Sequence, residues 1–109
     1  MPFKVASIVM APDGNPERHR ATIKTATLDL TVVVVELMNF DQAVQVCKEL
    51  VQEGVHSISL CPGFSHEAVA MVKGAVGEGV AVYVARGDVP SMQVTFEVLA
   101  RENWFPAEH

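Results

Sequence analysis

The stretch that most restricts the fold is residues 30–36, Leu-Thr-Val-Val-Val-Val-Glu. Four consecutive valines, each stiff at χ1, suit an extended strand. After Thr31 the run shows no polar alternation until Glu36. A strand of this kind is expected to be buried on both faces, as in a parallel sheet covered by helices.

The segments that follow fit such a sheet. Residues 37–40 form a turn, and Asp41 caps a helix that runs to about Glu53 and stops at Gly54. Its apolar stripe is Ala43, Val44, Cys47, Leu50 and Val51. Residues 55–60 read as the next strand, Pro62 and Gly63 as a turn, and Ser65 as the cap of a helix to about Val76. Residues 80–85 give a further strand, closed by Arg86, Gly87 and Asp88.

The two helical segments repeat one another. Residues 42–55 and 67–80 share Ala, Val, Lys, Val, Glu, Gly and Val at a constant offset of 25 residues. A solenoid needs three or more copies, so two copies read better as consecutive βα units. The offset makes Glu36, Cys61 and Arg86 equivalent positions at strand ends.

Upstream, residues 3–10 read as a first strand, followed by a loop rich in turn residues. Asn15, Pro16 and Glu17 make a sound helix start, giving a short helix over about 16–21. The β-branched alternation of residues 22–27 favours an extended arm instead, and both readings stay open. Downstream, the repeat pattern fails, because Glu97 and Arg101 would fall on the inner stripe. Residues 91–109 are expected to form a C-terminal tail element, with a short helix ending near Trp104. The expected fold is a single α/β domain over residues 1–109, with a mainly parallel four-stranded sheet and packed helices. The alternative is a ferredoxin-like α+β sandwich in which the segment before Leu30 pairs antiparallel.

Composition narrows the partners. Thirteen acidic residues face eight Lys and Arg, for a net charge of −5, and no basic cluster exceeds Arg18-His19-Arg20. That argues against nucleic acid. No apolar run approaches the roughly 20 residues that span a membrane. The two cysteines lie outside any CxxC spacing, which fits a reducing, cytoplasmic setting. Val-rich segments on a short, weakly charged chain leave apolar surface for a partner subunit, so a homo-oligomer is expected.

Ligands of open α/β sheets bind outside the carboxyl ends of the strands. There Glu36 is a candidate base and Arg86 a counter-charge. Cys61 is a candidate nucleophile with His66 as its base. Gly63, Ser65 and His66 open a helix whose free amides could hold an anion. Asp13 lies at the end of the first strand, and Arg18 and His19 could clamp an anionic substrate. Each has a plain structural account too: strand ends meet solvent, Ser65 is an ordinary cap, and Cys61 closes a core strand. Cys47, on the inner stripe, reads as packing. No spacing is diagnostic of a metal site, and neither metal nor cofactor is expected.

Three stretches, Leu60-Cys-Pro-Gly-Phe-Ser-His66, Ile8-Val-Met-Ala-Pro-Asp13 and Glu17-Arg-His-Arg20, resemble a family of small bacterial proteins of unknown function. The resemblance extends to about Arg86. It implies no activity, but it groups Asp13, Arg18, His19, Gly63 and His66. Residues 55–85 also look like a βα unit of a phosphate-binding barrel, a likeness of fold alone. The expected function is binding of a small anionic metabolite at the carboxyl edge of the sheet, with a non-catalytic oligomeric or partner-binding module as the alternative.

Overall fold

The structure, a computed structural model, describes residues 1–105. Five strands and three helices follow one another as β1 (Phe3–Ala11), β2 (Arg20–Lys24), β3 (Leu28–Glu36), α1 (Phe40–Gln52), β4 (Ser57–Leu60), α2 (His66–Val76), β5 (Ala81–Val84) and α3 (Val89–Arg101). The sheet order is β2-β3-β1-β4-β5. β1, β3, β4 and β5 run parallel, and β2 is antiparallel to β3.

The four expected strands are present, and β2 makes a fifth. Helix formation after Asn15 stops within one turn. The Asn15 side chain accepts from the Glu17 amide at 3.0 Å, and its carbonyl accepts from the His19 amide at 2.7 Å. Residues 20–24 then pair with β3, where Thr22 and Thr31 bring their hydroxyls to 2.9 Å. Tertiary pairing therefore decides between the helix and the extended arm. The antiparallel partner foreseen in the sandwich alternative exists, but at the edge of a parallel sheet. All five β2 residues are exposed, and Arg20 and Lys24 give the edge the charges that discourage strand addition.

Each repeated unit forms a strand and a helix as expected, with shifted ends. α1 starts at Phe40 behind an Asn39 cap, two residues before the expected Asp41. Asn39 wins because its side-chain oxygen reaches the Gln42 amide at 3.1 Å. α2 is capped by Ser65, whose hydroxyl accepts from the Ala68 amide at 3.1 Å.

Both helices cover the same face of the sheet. Ala6, Ile8 and Met10 of β1, Val33 and Val35 of β3, and Ile58 and Leu60 of β4 meet Ala43, Val46, Cys47, Leu50, Ala68 and Val72 in one core. Phe64, fully buried in the turn before α2, tilts against Phe40 at 5.9 Å between centroids.

The other face is not covered in the same way. Register sets Val5, Ser7 and Val9 beside Leu30, Val32 and Val34, and none of the six is buried. Ile23 of β2 and Tyr83 of β5 continue that face, each 62% exposed. Within one chain the valine run is thus buried on one side only, against the two-sided burial its pattern predicts. α3 does not supply the missing layer: none of its residues is buried, and its contact with the strands and other helices is sparse. The overall extents are 50 × 28 × 28 Å. No helix of the described residues is long and apolar enough to cross a membrane.

Candidate functional site

The carboxyl edge of the parallel strands carries a groove of about 580 Å³. Four segments build it. β1 contributes Val9 and Met10, and the turn after β3 contributes Leu37 and Met38. The turn after β4 contributes Cys61, Pro62 and Gly63. α3 and the residues after it contribute Met92, Phe96, Leu99, Trp104 and Phe105, with the Ser91 and Thr95 hydroxyls. The lining is mostly apolar, and three methionines give it side chains that adapt to irregular shapes.

Local chemistry explains the wall formed by residues 61–64. The Cys61 amide donates to Ile8 at 3.0 Å and prolongs the β1–β4 ladder by one residue. Pro62 cannot donate, and the Phe64 amide turns back to the Cys61 carbonyl at 3.2 Å. Gly63 lies against Met10: a Cβ there would approach the Met10 sulfur to 3.3 Å. A short residue is what lets the turn sit so close to the strand end.

The groove takes in some expected site residues and leaves others outside. Cys61 and Gly63 line it, whereas Glu36, Ser65, His66 and Arg86 do not. Glu36 Oε1 accepts from Asn39 Nδ2 at 2.9 Å, so its carboxylate braces the α1 cap. Ser65 spends its oxygen on the α2 cap, and His66 is an exposed first-turn residue. Arg86 lies behind the groove wall, donating to the carbonyls of Pro62 and Phe64 at 3.2 and 2.8 Å.

Register explains the scatter. Ile8 pairs with both Val33 and Leu60, and Leu60 pairs with Val84. Leu60 is therefore level with residues 27 before it and 24 after it, not 25. Cys61 stands level with Val34 rather than Glu36, and Arg86 lies one position beyond the matching strand level. The equal sequence spacing of Glu36, Cys61 and Arg86 does not make a row.

The loop after β1 also closes on itself. His19 Nδ1 accepts from the Asn15 amide at 3.0 Å, leaving the ring proton on Nε2 when the ring is neutral. Arg20 Nε donates to the Pro16 carbonyl at 2.8 Å. Asp13, Arg18 and His19 are exposed and outside the groove lining. Among the described residues no group of three or more His, Cys, Asp and Glu could hold a metal ion.

A model described as a family of unknown function (DUF6506) matches residues 3–99. The chain belongs to that family. The DUF6506 match begins with β1 and ends at Leu99, within α3, so it reaches past Arg86 and includes most of the helix that walls the groove. No curated protein and no solved structure gives a significant match.

Among the lining residues that sequence reading left out of the ligand site are Met10, Met38, Met92, Phe96 and Leu99. A signal was available for the last three. Val89, Met92, Phe96 and Leu99 recur at helical spacing, and the polar Gln93 and Glu97 lie together on another side, 3.3 Å apart. Met38, at φ +64°, takes the left-handed conformation that turns its side chain into the wall, which no local pattern announces.

Proposed function

We propose that the protein binds a small organic acid with a substantial apolar body, without transforming it. The observation that carries this reading is the 580 Å³ apolar groove at the carboxyl edge of the parallel strands. Its size falls within the roughly 300–1,000 Å³ of small-molecule sites, and its position is where open α/β sheets hold ligands. The apolar body would lie between Met10, Cys61 and Phe96. The acid group would face the turn at Gly63, which the Arg86 guanidinium holds in place from behind the groove wall. Binding is preferred to catalysis because Glu36 and His66 lie outside the lining that contains Cys61.

Thermal-shift titration with acetate, hexanoate, decanoate and phenylacetate tests the reading. Stabilisation should grow with the apolar body and vanish in Phe96→Glu, which places a charge on the groove wall. Arg86→Gln, which loosens the Gly63 turn from behind the wall, should weaken the acids and the matching alcohols alike. No stabilisation across the series, or an equal shift in Phe96→Glu, would remove the groove as the site.

A further inference from the structure

We infer that the uncovered face of the sheet is the seat of a second copy of this chain, packed sheet on sheet about a twofold axis. The first ground is the mismatch between sequence and single-chain burial. The Val32–Val35 run has the composition of a strand covered on both sides, yet Val33 and Val35 are buried and Val32 and Val34 are not. The second ground is chemistry. From its amino ends to the level of Val9 and Val34, the face carries no charged side chain; Glu36 marks its carboxyl rim. The other acids and bases of β2 and β3, namely Arg20, Lys24 and Asp29, have the opposite parity. Solvated sheet faces are polar, whereas the centres of interfaces are depleted of charge.

Area supports the same occupant. Phe3 is 52% exposed, and Ile23 and Tyr83 are each 62% exposed. With Val9 at 37% and the half-buried residues between them, exposed apolar side chains run across the face from β2 to β5, the breadth over which an interface of roughly 800 Å² per partner is built. A twofold axis closes the assembly, since the same patch serves both copies. Sheets stacked about 10 Å apart would then bury the valine run on its second side. This inference does not depend on the ligand proposed for the groove.

The test is sedimentation equilibrium of the chain across the micromolar range, with variants at positions already open to solvent in one copy. Wild type should be a dimer. Ser59→Lys and Ile23→Lys should each raise the dimer dissociation constant by about a hundredfold, because symmetry places the new charge in the interface twice. Both should keep a wild-type circular dichroism spectrum. Met71→Lys, on the exposed side of α2, should leave the dimer intact. A monomeric wild type would overturn the inference, as would a dimer that survives both face variants or is lost only in Met71→Lys.

Discussion

Arg86 Nη1 donates to the carbonyl oxygen of Phe64 at 2.8 Å and holds that of Pro62 at 3.2 Å. One guanidinium thereby ties the end of β5 to the turn that follows β4, across the gap between parallel neighbours. Both bonds are charge-assisted, but water can replace them at an exposed turn. Arg86→Gln should therefore cost only about 1–2 kcal/mol, measured by urea unfolding. Exchange of the Phe64 amide should accelerate as the turn loosens. Arg86→Lys should recover only part of the loss, because its single ammonium on a flexible stem is less pre-organised than the planar guanidinium that points Nη1 at both carbonyls.

Asn39 links a strand end to a helix start. Its oxygen caps the Gln42 amide and its Nδ2 donates to Glu36. Asn39→Ala should destabilise by about 1 kcal/mol, as loss of a helix cap does. Glu36→Gln keeps an acceptor oxygen in the same place and should change stability by less than about 0.5 kcal/mol in chemical denaturation. A larger loss for Glu36→Gln than for Asn39→Ala would contradict the assignment of Glu36 to the cap.

The parallel strands and both βα helices are legible in the sequence because local signals and tertiary demands agree there. The valine run, the Ser65 cap and the stripes on α1 and α2 all point the same way. β2 is legible only in part: the β-branched alternation of residues 22–27 points to an extended arm, Asn15-Pro16-Glu17 points to a helix, and pairing with β3 decides between them. The level of Cys61 relative to Glu36 is hidden for a different reason. Sequence offset counts residues through turns of unequal length, while register is fixed by hydrogen bonds to β1. The groove escapes because its walls come from four separate segments, and α3 carries Glu97 and Arg101 where the repeat would place apolar residues.

Two glycines should respond to alanine with opposite signs. A methyl group at Gly14 would overlap the backbone carbonyl of Val35, where the loop after β1 presses on β3. Neither backbone can yield without disturbing the Leu37 amide bond to Ala11, 2.9 Å long. Gly14→Ala should destabilise by about 2–3 kcal/mol. Gly74, inside α2, has nothing within 4 Å of a new Cβ. There alanine removes the conformational entropy cost of glycine, so Gly74→Ala should stabilise by about 0.5–1 kcal/mol. The pair is read from thermal melts under one buffer condition, and a destabilising Gly74→Ala would mean that another chain occupies the space beside α2.

Cys47 lies fully buried in the core, and burial pushes its thiol from 9.0 up to about 12. The neutral form is the one the core accepts. An unfolded chain releases this proton near its ordinary value, whereas the folded chain retains it to about pH 12. Between those limits the folded state binds more protons, so stability falls as pH rises. Below about pH 9 both states hold the proton and the effect is absent. The slope should approach about 1.4 kcal/mol per pH unit inside the window, superposed on the titration of Lys and Tyr. Cys47→Ala shares that background but lacks the thiol. The difference between the two proteins' urea-unfolding free energies should therefore shrink steadily from pH 9 to pH 11. At pH 8 wild type should be the more stable, because alanine leaves a small void beside Leu50 and Ala43. A wild-type advantage that stays constant with pH would show that the Cys47 thiol ionises as readily in the folded chain as in the unfolded one.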